Sequence, residues 1–275
     1  PLGLLVETNR ILVVSSGTDQ VLAYGTLPTG NYDSQFASGL SRPRAVTLAA
    51  NHEVWAAYRK AGDLNNLVIQ AWSQTNNTQL GTFYDDDLGF LCFLATIDEV
   101  YDIAMDPTQK RVYVALSMSC GQTFVLMFQG PSDPSTSGDF LGVVAVDNSG
   151  LFNPLDTFHG MTIGPDGNLY VSRQSSPGRI ESFVGATGAP QGVFASGGLF
   201  LPTGLVFGPD GNLYVADESD NTVKRFNGTT GASMGVFVTS GSGGLSLSRQ
   251  SPSARASNGA AQTERPPVAA CGLFP

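Results

Sequence analysis

Residues 160–173, GMTIGPDGNLYVSR, return almost unchanged at residues 204–217 as GLVFGPDGNLYVAD. A motif recurring at this spacing marks a repeat architecture, in which each unit buries its apolar face against the next. Both copies read as a strand, a tight turn at Pro-Asp-Gly and a second strand. Proline presets φ at the turn, and glycine accepts the positive φ where the chain reverses. Leu205 and Phe207, then Leu213 and Val215, alternate with the period of two expected of half-buried strands. TVKRF at Thr222–Phe226, a turn over residues 227–231 and a strand around Met234–Val238 complete the unit. Four short strands and a return make one blade of a β-propeller.

Weaker copies precede these. LLVETNRILVVSS begins at Leu4 with Thr8-Asn9 at its turn, AVTLAANHEVWAAY at Ala45 with Asn51-His52, and DIAMDPTQKRVYVAL at Asp102 with Asp106-Pro107. The expected fold is all-β, a propeller of four-stranded blades over residues 1–247, with blade starts near Gly3, Ala45, Asp102, Gly160 and Gly204. The longer second and third units are expected to hold loop insertions at Thr75–Thr82 and Gly130–Ser137. A sixth blade is due near residue 248. Residues 248–275 are instead rich in Ser, Ala and Pro without alternation, an atypical tail or incomplete sixth blade expected to close the ring or join chains. The codons of Ser248–Arg255 can be chosen so that another frame reads QAITFGP, a strand-and-turn form in register with a sixth blade. That choice predicts a frame slip near codon 248, which the coding DNA checks.

Only 13% of the residues are charged, against roughly 25% in an ordinary soluble domain, and Lys60, Lys110 and Lys224 are the only lysines. A net charge of −9 without clustered Lys or Arg argues against a nucleic-acid partner. No stretch approaches the roughly 18 apolar residues of a membrane-spanning helix. A chain that starts at Pro1 has either lost a leader or begins inside a longer protein. Cys92, Cys120 and Cys271 lack zinc-type spacing. In an oxidising compartment Cys92 and Cys120 are a candidate disulfide, which leaves Cys271 as a thiol that is either buried or paired with another chain.

The pattern P-x-G-L-x-F-G-P-D-G-N-L-Y-V, spelled out by Pro202–Val215, resembles NHL-repeat and gluconolactonase-like six-bladed β-propellers. The resemblance covers about residues 3–245 and implies fold far more than activity. It also implies that ligands meet the central channel, just before each blade's first strand. Those positions hold Leu2, Arg44, Tyr101, His159 and Thr203. Relatives with lactonase activity bind a divalent metal there through carboxylate and Asn ligands, since hard cations need convergent oxygens. Here the place of the relatives' Asn in Pro-Asn-Gly is taken by Thr203, and Glu7 lies near the first turn rather than in a matching glutamate motif.

Arg44, Tyr101, His159 and Thr203 are thus channel-mouth candidates for a small ligand or sugar, or lining of a wet channel without function. His52 and His159 are the only histidines, and no GxSxG elbow supplies a nucleophile for a triad. Asp85-Asp86-Asp87 lacks the spaced ligands of a calcium loop and reads as a solvated loop. Asp217, Glu218 and Asp220 read as turn and cap residues, and Trp55 and Trp72 as blade packing. Asn76 and Asn227 open N-glycosylation sequons. The expected function is that of a secreted, extracellular or periplasmic structural or interaction module without catalysis or cofactor. Its partners would be other protein chains, itself included in an assembly or filament, and glycans. The alternative is a lactonase-like hydrolase holding Ca or another divalent cation in the channel.

Overall fold

The computed structural model describes residues 4–6, 10–15, 18–25, 32–38, 40, 43–49, 53–88, 91, 95–132, 138–147 and 157–242. They form five four-stranded antiparallel sheets, each built from strands consecutive in sequence. Blade one comprises β1 (Leu4–Val6), β2 (Arg10–Ser15), β3 (Gln20–Gly25) and β4 (Tyr32–Ser38). Blade two comprises β5 (Ala45–Leu48), β6 (Glu53–Arg59), β7 (Asn66–Ser73) and β8 (Gln79–Asp87). Blade three comprises β9 (Ile97–Met105), β10 (Arg111–Met118), β11 (Thr123–Gln129) and β12 (Phe140–Asp147). Blade four comprises β13 (Thr157–Ile163), β14 (Leu169–Gln174), β15 (Arg179–Phe183) and β16 (Pro190–Ala195). Blade five comprises β17 (Pro202–Phe207), β18 (Leu213–Asp217), β19 (Thr222–Phe226) and β20 (Ser233–Val238). The five expected blades are all present. Among the described residues no helix is long and apolar enough to cross a membrane.

The first strands of neighbouring blades pack on one another in the order β1, β5, β9, β13, β17, so these are the inner strands around the axis. The core is a series of layers between adjacent sheets rather than one mass. Leu12, Val21 and Phe36 of blade one meet Val54, Tyr58 and Trp72 of blade two. On the opposite face, Trp55, Leu67 and Ile69 meet Leu116, Leu126 and Phe128 of blade three. Tyr113, Val125 and Met127 then face Phe158, Leu169 and Val171 of blade four, and Tyr170 and Ile180 face Leu213, Val215 and Phe226 of blade five. A middle strand is therefore apolar on both faces, as β6 and β10 show. Each large side chain enclosed between sheets, such as Phe128, contributes about 1.5–3 kcal/mol relative to an exposed one. The outermost strands β8, β16 and β20 are largely exposed, and β12 is partly so.

The repeated turns behave as their sequence requires. Gly167 and Gly211 close the Pro-Asp-Gly turns at φ 78° and 75°. Asp166 and Asp210 each accept from the amide of the Asn two residues on and from the hydroxyl of Tyr170 or Tyr214.

Three expectations need correction. No insertion occupies 75–82: a short turn follows β7, and β8 begins at Gln79. Asp85-Asp86-Asp87 is the end of β8 rather than a loop, with Asp85 held 2.8 Å from Lys60 Nζ. An outermost strand needs no apolar alternation, so its acidity hid it. Blade three starts at Ile97, ahead of Asp102, because Asp98 and Glu99 interrupt the apolar pattern of β9. The second insertion does fall between β11 and β12, although residues 133–137 lie outside the described residues.

Candidate functional site

Three channel-mouth candidates sit at irregularities of their inner strands. In blade three Val100 pairs with Leu116 and Asp102 with Ala115, which leaves Tyr101 bulged. In blade four His159 and Gly160 lie between the pairs Phe158–Arg173 and Met161–Val171, opposite Ser172 alone. In blade five Thr203 and Gly204 lie between Pro202–Asp217 and Leu205–Val215, opposite Ala216 alone. A bulge leaves a residue out of the ladder and re-aims its side chain. Arg44 lies directly before β5, at the equivalent place in blade two.

Three of the four candidates come together. The Tyr101 and His159 rings stack with centroids 4.4 Å apart and planes 36° from parallel. The Arg44 guanidinium lies 6.0 Å from the Tyr101 centroid on the next blade round. Arg44 is also ion-paired with Glu99 of β9. Thr203 takes part mainly through its backbone. Its carbonyl accepts the Ser172 hydroxyl at 2.6 Å, and Ser172 accepts the Gly160 amide at 2.8 Å.

Glu99 and Asp102 were not singled out in the sequence. The signal for Asp102 was available: it stands where the other clear blade starts have Ala45, Gly160 and Gly204. Its carboxylate accepts the Met161 amide of blade four at 2.6 Å and the Ile103 amide at 2.9 Å. Burial pushes its pKa up to about 7, against a smaller downward pull from those two amides.

A second electrostatic centre lies in blade five. Asp217 is wholly enclosed and accepts from Lys224 Nζ at 2.8 Å, the Phe200 amide at 3.0 Å and the Ser219 hydroxyl at 2.6 Å. Burial pulls its carboxyl upward, but these donors outweigh burial and hold it down at about 2. Lys224 also reaches the Gly198 carbonyl and Asp220. Asp217 is thus the buried centre of an ion network whose second carboxylate, Asp220, is solvent-exposed, and both reach beyond the expected turn role.

These oxygens do not suit a hard cation. Glu99 is held by a guanidinium, the Asp102 carboxylate by amides and the Thr203 carbonyl by a hydroxyl. Among the described residues no group of three or more His, Cys, Asp and Glu is placed to hold a metal ion. Cys120 is buried, with its sulfur 3.5 Å from Gln122 Oε1. Cys92, Cys271, Leu2, His52 and the segment 248–275 lie outside the described residues. Asn76 is exposed in the turn between β7 and β8, and its Oδ1 accepts from the Thr78 amide and hydroxyl. Asn227 is half-buried in the turn between β19 and β20, where its Oδ1 accepts from the amides of Thr229 and Thr230.

Comparison with known proteins bears on the fold. Residues 201–226, which span β17 to β19, match the family model of the NHL repeat. A chain in the crystal structure of a nidogen/laminin complex superposes with a TM-score of 0.61 at 16% identity, covering 86% of this chain and 79% of that one. In all, 1055 solved chains match, a breadth that identifies an architecture and selects no activity. No curated protein matches the chain.

Proposed function

Proceeding from a β-propeller that carries an NHL repeat, we propose that this protein is a non-catalytic extracellular module whose partners are other protein chains. The observation that carries the proposal is the outer edge of blade three. On β12, Leu141, Val143 and Val146 are each more than two-fifths exposed, while Val144 packs inward. An outermost strand with apolar side chains, beyond which no further strand pairs among the described residues, is a template for a partner strand or an apolar partner surface. The structural neighbour from a protein–protein complex agrees with such a role. The channel mouth agrees as well, because Arg44, Glu99, Tyr101, Asp102, His159 and Thr203 join blade to blade.

The extracellular placement rests on the neutral, lysine-poor composition and on the sequon residues Asn76 and Asn227 in turns. Low charge weakens the repulsion between copies, so self-association into an assembly belongs to the same proposal. The candidate pair Cys92–Cys120 and an intermolecular Cys271 also belong to it.

A photo-reactive residue at Val143, compared with one at Thr82 on β8, tests the proposal in the native extracellular fraction. Discrete protein adducts at Val143 and none at Thr82 are expected, and equal labelling at both would sink it. The hydrolase reading draws on the raised Asp102 carboxyl beside the Tyr101–His159 stack. Lactone hydrolysis that disappears in both His159→Ala and Asp102→Asn would replace the module by an enzyme.

A further inference from the structure

In every blade the outermost strand skips one residue of the ladder at the same place: Phe36 in β4, Phe83 in β8, Val144 in β12, Phe194 in β16 and Phe237 in β20. A bulge re-aims its extra side chain. In blades one to four that side chain joins the apolar layer shared with the next blade. Phe194, for example, lies 4.8 Å from Tyr170, and Phe207 of blade five adds a second ring to Tyr170 at 5.0 Å. Phe237 repeats the arrangement on Tyr214 at 4.7 Å. Among the described residues no further blade lies over that pair. Phe237 is 57% exposed, and Val206, paired with Tyr214, is 58% exposed. Blade five thus carries the same device as the other four, uncovered.

The other end of the stack holds the matching face. Leu12, Val21 and Ala23 of blade one belong to the layer shared with blade two. By strand pairing, the opposite face of that sheet belongs to Leu4, Val6, Ile11, Val13 and Tyr24. These are the register positions that Leu205, Phe207, Leu213, Val215 and Phe226 hold in blade five, where they pack on blade four. Blade one of the same molecule does not cover blade five, since Val206 and Phe237 stay exposed. We propose that a second copy of this chain docks there, with blade one of one molecule seated on blade five of the next. The contact continues the interface that the chain already makes between its own blades, and its two sides differ, so it is head-to-tail. Arg225 is the charged residue of the open face. Its guanidinium lies 5.9 Å from the Phe237 centroid, toward the exposed outermost strand, so a sheet seated over Val206 and Tyr214 leaves it at the rim. The proposal rests on the reading of this protein as an interaction module and names the partner.

The test is a photo-crosslinking residue at Val206 in the full chain, mixed with isotope-labelled full chain that lacks it, with mapping of the products by mass spectrometry. Val206 is exposed, so the substitution leaves the sheet intact. Links from Val206 to residues 4–25 of the labelled copy are expected, with a yield that falls on dilution. Phe237→Ala should lower that yield by about fivefold, as for the loss of one aromatic contact. Links confined to one molecule, links to another part of the second copy, or no links at all would each overturn the proposal. If Val143 still gives discrete protein adducts in that event, the interaction module stands and only the head-to-tail contact fails.

Discussion

At the scale of single residues, two carboxylates with opposite shifts make opposite predictions. Asp102 has a folded pKa of about 7 against an ordinary 3.8, so folding favours its protonated form. Its stabilising contribution is complete below pH 3.8 and is lost as the pH rises through about 7. Asn imitates the protonated acid. Asp102→Asn should therefore gain on the parent between pH 4 and 7 by up to about 1.4 kcal/mol per pH unit, read from urea unfolding. A difference that stays flat with pH would mean that the carboxylate is hydrated. Asp217 behaves in the reverse sense. Its pKa of about 2 lies below 3.8, so its contribution is present above pH 3.8 and is lost as the pH falls through about 2. Asp217→Asn leaves the Lys224 charge enclosed without its main counter-ion and should cost about 3 kcal/mol at neutral pH. Adding Lys224→Met should recover part of that loss, and failure to recover would show that Lys224 is well satisfied by Gly198 and Asp220.

At the scale of strands and turns, the inner strands approach closely where a side chain is missing. A Cβ on Gly160 would collide with the Thr203 carbonyl of the next blade, whereas a Cβ on Gly204 meets nothing within 4 Å. Gly160→Ala should lower stability by about 1–3 kcal/mol and Gly204→Ala by almost nothing, although the two occupy the same place in the repeat. Thermal unfolding of the pair checks this, and equal losses would contradict the close approach. The same contrast marks how far the sequence could be read. Blades four and five were legible because Pro-Asp-Gly turns and alternating strands are local chemistry. The bulges at Tyr101 and His159 were not, since a bulge is a relation between two strands. Repeat alignment placed Arg44, Tyr101 and His159 at one level, and the stack follows from that. Glu99 stayed hidden because its partner lies on another blade. The acidic end of β8 stayed hidden because an exposed outermost strand carries no apolar signature.

At the scale of the whole molecule, the layers between sheets make stability a sum over neighbouring pairs. Blade three is covered on both sides, and its middle strands β10 and β11 are buried almost throughout. Blade five has one covered face, and β20 is exposed along most of its length. Hydrogen exchange should therefore be slowest in β10 and β11 and orders of magnitude faster in β20. Uniform protection across all blades would show instead a ring that opens as one cooperative unit. The enclosure of Lys224 has a practical consequence for anyone handling this protein. With Lys224 sealed between carboxylates, the lysine amines open to an acylating reagent are Lys110, exposed on the hairpin between β9 and β10, and Lys60, whose ion pair with Asp85 lies at the surface. Amine coupling to a sensor surface or to a fluorophore through a lysine would then attach the protein by blades two and three and leave the lysine of blade five unmodified.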